Sequence, residues 1–264
     1  MSALVNSLFT YRTPSWHRLE NDIFQEYPGR EVAFVAAGHD FGLVQTCVGD
    51  EGRIIDNPES YVGPMVRVER LTSEGKPTGL YEWRSYRRSE KDKGLVITQL
   101  RNGVPGPLHG KSIRHVLASY EPIPNEVPWD ILDQILSDEN LNRTMRINYE
   151  TGGTLEDGAS CFVTARLDFP FQVPGDDSFV YPYIFATWRH DGGGALNFGG
   201  TDVRIVCANT RGQAEGQAKR QGVIFSFKHT KNYKERIDLA VKALKGVVTG
   251  HSEFEALANE LAAI

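Results

Sequence analysis

Cysteine is scarce in this chain. Cys47, Cys161 and Cys207 are odd in number and far apart among 264 residues. They build neither a disulfide framework nor a CxxC zinc motif, and such usage suits a reducing cytosol. Long apolar runs are missing too: nothing approaches the ~20 residues of a membrane-spanning helix. The opening MSALVNSLFTYRTPSWHRLEND lacks a basic segment followed by an apolar core and a small-residue cleavage site, so no secretory leader is expected. Neither GxGxxG nor GxxxxGK[ST] follows a strand pattern, which disfavours a Rossmann-type sheet. GxSxG, HExxH and a Ser-His-Asp spacing are absent as well.

What is present is an ordinary globular composition, 40% hydrophobic and 24% charged. A chain of this length buries roughly three quarters of its unfolded surface, so one domain over residues 1–264 needs no staple. The net charge of −5 is unevenly spread. Residues 66–117 carry eleven Lys/Arg against five Asp/Glu, and residues 201–250 carry ten against four; residues 118–200 carry four against thirteen. Two basic stretches thus lie inside an acidic protein. Within a screening length of ~8–10 Å the local field decides which partner is attracted.

Periodicity predicts many strands and few helices. GREVAFVAAG, residues 29–38, reads as a short helix closed by Gly38. FGLVQTCV (41–48) and MVRVERL (65–71) read as strands. Leu80–Tyr86 and Leu95–Leu100 flank RRSEKDKG and read as a hairpin with a basic tip, an insertion near 62–100. WDILDQIL (129–136) has helical spacing after the proline-set loop EPIPNEVP. Residues 144–149, 160–167 and 181–188 read as strands. Ala195–Phe198 and Asp202–Cys207 read as a hairpin turning at Gly199 and Gly200. A helix over about 208–220, a strand at 223–227, an amphipathic helix over about 232–245 and a last short helix complete the chain. Such an order predicts an α+β fold, a twisted antiparallel sheet with helices packed on one face and a helical end over 232–264.

Three groups of residues could carry chemistry. His190 and Asp191 precede Gly192, Gly193 and Gly194, a turn whose free backbone amides suit an anion nest; capping of those amides by Asp191 is the plainer reading. Asn209 and Thr210 stand where a helix begins and are suited to cap it, an end that also favours phosphate. Lys228, His229, Lys231, Tyr233, Lys234 and Arg236 interleave cations with an aromatic, the pattern of a phosphate backbone with a stacked base. Arg204, opposite the apolar face of its predicted strand, points to solvent or ligand, and Arg87 and Arg88 lie at the basic tip. Cys207 reads as a small core residue. Metal-ligand spacing is weak and no cofactor is expected.

Several blocks together resemble a known family: PSWH, VAAGHDFGLV, VLASYEPIPNE, PYIFATWRHDGGGAL, TDVRIVCANT and FSFKHTKNYKERIDLAVKAL. They are similar to the phage/plasmid-like protein family, the domain of unknown function numbered nine-three-two, over roughly Pro14 to Leu244. Thr187-Trp188-Arg189 departs from the Asn-Ser pair expected before His-Asp-Gly. The resemblance implies a mobile-element origin and a place in the host bacterial cytoplasm, without an established reaction. In outline the expected sheet is similar to single-strand annealing proteins of the Rad fifty-two kind. The leading expectation is therefore a homo-oligomer that binds and anneals single-stranded DNA without nucleotide hydrolysis, away from any membrane. Its contacts would be Arg204, Lys228, Lys231, Tyr233, Lys234, Arg236, Arg87 and Arg88. The alternatives are a metal-assisted hydrolase or nucleotide-modifying enzyme around His190, Asp191 and His229, and a structural or counter-defence protein with a protein partner.

Overall fold

A computed structural model describes residues 5–48, 65–71, 77–85, 93–101, 104–105, 112–117, 120–141, 146–172 and 179–262. Strands β1 (Val5–Tyr11), β2 (Asp22–Phe24), β9 (Ile147–Leu155), β10 (Ser160–Leu167), β13 (Tyr183–Arg189), β14 (Leu196–Thr201) and β15 (Ile224–Phe227) form one seven-stranded sheet. Its order is β15-β14-β13-β10-β9-β1-β2. All pairs are antiparallel except β1 with β2, which is parallel, so the sheet is mixed.

Alternation along these strands sends side chains to two buried faces. Cys161, Val163 and Ala165 of β10 and Ile184, Ala186 and Trp188 of β13 join one core with Phe9 and Phe198. Phe162, Phe185 and Leu8, one residue out of phase, join the other. The first core is covered by α1 (Arg30–Ala36), α2 (Glu126–Leu136) and α4 (Ile237–Ala262). The second is covered by α3 (Ala208–Gln221) through Ala214 and Ala218. The α+β class stands. Helices nevertheless pack on both faces and not on one, because β10 and β13 carry large apolar residues in both phases; each fully buried aromatic there contributes about 2–3 kcal/mol.

Four further expectations are corrected. Strand β5 (Pro77–Ser85) pairs with β4 (Met65–Leu71), while β6 (Lys93–Arg101) lies between β3 (Phe41–Val48) and β8 (Ser112–Leu117), with β7 (Val104–Pro105) also paired to it. The hairpin across RRSEKDKG is therefore not made: the run LVITQL suits a central strand with two partners. Gly199 and Gly200 lie inside β14 and are no turn. A Cβ at Gly199 would stand 2.7 Å from the Val223 carbonyl and 2.9 Å from the Phe185 ring, so glycine serves close approach there. Residues 202–206 consequently lie outside any strand. Helix α2 begins three residues before Trp129, since Pro128 falls in its first turn, where no amide is needed. The last two predicted helices are one: after a 3-10 segment (Lys231–Arg236), α4 runs 26 residues through Gly246 and Gly250, which have open space around their Cα atoms. Its buried face, Ala240, Val241, Leu244, Val247 and Val248, follows the expected helical stripe. Short strands β11 (Phe171–Gln172) and β12 (Phe179–Val180) pair with each other.

Candidate functional site

Both β13 and β15 run antiparallel to β14, so they end at the same edge of the sheet. His190 follows β13 and His229 follows β15, and sequence distance is thereby erased. His39 reaches this edge from α1. The helix stops at Gly38, whose φ of 71° is left-handed, and the amides of Gly38 and His39 donate to Val35 and Phe34 carbonyls. These two bonds form a Schellman closure.

The hydrogen bonds here fix tautomers. Trp129 Nε1 donates to Nδ1 of His39 at 3.0 Å, so His39 carries its proton on Nε2, which donates to the Gly153 carbonyl at 3.0 Å. Asn125 Nδ2 donates to the carbonyls of His39 and Phe41, which leaves Oδ1 as its acceptor. That oxygen receives Trp188 Nε1 and His190 Nε2, each at 2.8 Å. His190 is thus the Nε2–H tautomer. Its Nδ1 keeps a lone pair, fully buried and without a hydrogen-bond partner among the described residues. Burial holds His190 well below the usual histidine range, and the neighbouring His229 and His39 oppose a charge further, against a weaker pull from Asp191.

His229 is 6% exposed and stacks on Tyr120, centroids 4.6 Å apart and planes 13° from parallel. Neither ring nitrogen makes a hydrogen bond of good geometry among the described residues, and the Glu121 backbone is in weaker polar contact with the ring. Burial lowers its pKa to about 4, opposed by a backbone contact at Glu121 and by Asp191. Tyr120 in turn donates to the Arg189 carbonyl at 3.1 Å, so one phenol ring links His229 to the turn that bears His190.

Asp191 is fully employed. Its carboxylate takes two bonds from Arg189 and one from the amide of Gly193. Arg189 also reaches Glu156, a non-glycine residue at φ 55°, and these partners raise its pKa further, Asp191 foremost. A Cβ at Gly194 would lie 2.9 Å from Cδ of Arg189. The glycine run therefore makes room for Arg189, and its Gly193 amide is capped by the protein's own carboxylate. The anion nest and the His190–Asp191 proton pair are both corrected on that ground. Among the described residues no group of three His, Cys, Asp or Glu is gathered to hold a metal ion.

The expected phosphate contacts divide. Arg204 is no phosphate contact: it pairs with the buried Glu150 at 2.8 Å and donates to the carbonyls of Tyr11 and Thr13. Arg166 pairs with the same carboxylate at 3.3 Å. Tyr233 is 7% exposed and packs in the core, so it stacks on no base. Lys228, Lys234 and Arg236 are exposed; Lys231 belongs to the 3-10 segment. Arg87 and Arg88 lie outside the described residues. Asn209 and Thr210 do not join the site but start α3 on the opposite face. There Asn209 is exposed, and the Thr210 hydroxyl accepts the amides of Val206 and Cys207, which closes the helix start as a cap. Cys207 and Cys161 are buried core thiols, and burial pushes Cys161 up to about 12.

Sequence reasoning brought His190, Asp191 and His229 forward and missed His39, Asn125 and Arg189. A signal existed for Asn125, which stands immediately before a helix, but its partners come from two distant segments, residues 39–41 and 188–190.

A family model described as Domain of unknown function (DUF932) matches residues 112–264. The chain belongs to that family. The DUF932 match spans Tyr120, Asn125, His190, Asp191 and His229, whereas His39 and the strands β1 and β2 precede it. No curated protein and no solved structure matches the chain, so the likeness to annealing proteins of the Rad fifty-two kind has no support there. Among the described residues no helix is long and apolar enough to cross a membrane.

Proposed function

We propose that the protein binds single-stranded nucleic acid along a cationic lip made by Lys228, Lys234 and Arg236. One observation carries this reading. Arg30, Arg166, Arg189, Arg204 and Lys245 are each committed to a carboxylate, whereas Lys228, Lys234 and Arg236 are exposed and pair with no carboxylate among the described residues. The stretch 228–236 holds four Lys/Arg and a single acid, Glu235, in an acidic protein. Cations without internal partners are the groups that release counterions when phosphate binds. The mobile-element setting implied by the sequence resemblance agrees with a role in replication or recombination, exercised in the cytoplasm by a homo-oligomer.

The test is a titration of a fluorescein-labelled single-stranded oligonucleotide with the full chain between about 50 and 200 mM salt. Affinity falls steeply as salt rises. The triple variant K228E/K234E/R236E, confined to exposed positions, binds more weakly at every salt concentration. Its logarithmic salt slope falls by roughly 0.7 for each phosphate contact removed. Absence of any anisotropy change for the wild type at the lowest salt would remove the reading.

A further inference from the structure

Exposed apolar side chains are gathered in one region of this molecule. Of the seven large hydrophobic residues exposed among the described ones, five lie within residues 16–35: Trp16, Leu19, Ile23, Val32 and Val35. Ala33 and Ala37 seat α1 on the core, and the neighbouring side of the helix carries Glu31, Val32, Val35 and Ala36 at i, i+3 and i+4 spacing. Those four residues, with Asp22 and Phe24 of β2, line a groove of about 560 Å³. Val32 is 55% exposed and Val35 49%, so no described residue covers it. The rim is acidic. Residues 19–31 hold four acids against one cation, Arg30, and that cation is held by Asp130 and Asp133 of α2.

A complement lies on the same chain toward the other end of the sheet. Leu239, 64% exposed, stands in the first turn of α4, with Arg236 three residues before it and Lys242 three residues after, both exposed. Residues 228–242 hold five cations against two acids, Glu235 and Asp238. Helix α4 packs on β13 and β14, whereas the groove opens on β1 and β2. Five strand spacings separate β14 from β2, roughly 24 Å. Within one chain the two surfaces therefore do not meet, and both stay exposed.

We propose that the turn of α4 bearing Leu239 docks into the α1–β2 groove of a second copy of this chain. Leu239 enters among Phe24, Val32 and Val35. Lys242 faces the acids Asp22 and Glu31 at the rim, and Arg236 stands at the border between this contact and the cationic lip. The inference rests on the homo-oligomer of the reading above and supplies its contact; it does not require that a strand be bound. Side chains make the contact, not strand addition: β2 is three residues long and carries an exposed acid, features that discourage edge pairing. Because the two patches differ, the contact is head-to-tail. Each copy keeps one groove and one turn free for the next, so copies add into a ring or a filament. A contact through one groove and one helical turn falls at the small end of specific interfaces. Association is therefore weak and, with charges at its rim, salt-sensitive.

Sedimentation velocity of the full chain at roughly 1 to 100 µM, the span of weak contacts, reads the assembly. The wild type gains mass with concentration at about 50 mM salt and less so at about 200 mM. Val35→Glu closes the groove and Leu239→Glu removes the apolar tip of the turn. Both positions are exposed, and circular dichroism checks that each variant keeps its fold. Should Val35→Glu unfold, Glu31→Lys at the rim replaces it. Each variant alone weakens self-association roughly tenfold or more. Mixed in equal amounts, the two form a dimer and nothing larger, because the Val35→Glu chain still offers a turn and the Leu239→Glu chain still offers a groove. A wild type that stays monomeric throughout leaves the groove to a foreign partner and overturns the proposal. Association that survives either variant unchanged, or a mixture that stays monomeric, overturns it as well. The oligonucleotide titration repeated on the monomeric Leu239→Glu chain reads strand binding by itself, so assembly and strand binding fail independently.

Discussion

Nε2 of His190 donates to Oδ1 of Asn125 across 2.8 Å, joining the end of β13 to the residue that precedes α2. The same oxygen holds Trp188, and the same amide nitrogen holds the carbonyls of His39 and Phe41. A single 1%-exposed side chain thus orients two aromatics and a loop.

Asn125→Ala leaves four groups without their partner, three of them in buried bonds. With a penalty of about 1–3 kcal/mol for each unmade bond and some recovery by relaxation, the expected loss is roughly 2–4 kcal/mol. A shift of the denaturant midpoint at unchanged slope measures it. A shift no larger than that of an average surface substitution would show that the network does not hold the edge together.

Acid should weaken the fold through its histidines. The folded-state pKa of His229 lies at about 4, below its ordinary 6.5, because burial outweighs the Glu121 backbone contact and Asp191. Between those values the unfolded chain binds a proton that the folded chain excludes. Stability is fully present above about 6.5 and falls as pH drops toward 4, with a slope of up to about 1.4 kcal/mol per pH unit for this group. Tyr120, Asp191, Glu121 and His190 are the polar neighbours, and they are common to wild type and His229→Phe. The stability difference between the two proteins therefore isolates the group. It grows in favour of the variant as pH falls; a difference independent of pH contradicts the assignment.

Glu150 is a buried carboxylate between two guanidinium groups, Arg204 and Arg166, with the Tyr183 hydroxyl donating to it at 3.3 Å. Burial raises its pKa against the pull of Arg204 and then Arg166. Removing one partner of such a cluster strands the others, so Glu150→Gln is expected to cost about 3 kcal/mol or more by chemical unfolding. Folded Glu150→Gln nonetheless keeps wild-type affinity for a labelled single strand. A gain of affinity would return Arg204, freed from its carboxylate, to the phosphate contacts.

Two glycines predict opposite signs. Gly199→Ala drives a Cβ against the Val223 carbonyl at 2.7 Å, a backbone atom that cannot swing away, and should destabilise by about 1–3 kcal/mol. Gly212→Ala, exposed in α3 with nothing within 4 Å, should stabilise by about 0.5–1 kcal/mol. Thermal midpoints of the two variants, read side by side, check the pair.

Local chemistry alone determined much of this protein. The cap at Gly38, the stripe of Ala240, Val241 and Leu244, and the two-phase apolar pattern of β10 and β13 all depend on neighbours within a turn or a strand, and the α+β class follows from them. His190, Asp191 and His229 were visible for the same reason, as polar residues in turns beside strand ends. What required tertiary structure was the identity of each partner. Arg204 and Tyr233 looked like surface contacts until Glu150 and the core claimed them. Gly199 looked like a turn until the Val223 carbonyl filled the space above it. Strand β6 pairs with β3 and β8 and not with its neighbour β5, because strand pairing is not set by proximity in the chain. The imidazole edge is the extreme case. Three histidines 39 to 190 residues apart meet because β13 and β15 both run against β14 and end at one side of the sheet, where the end of α1 adds His39.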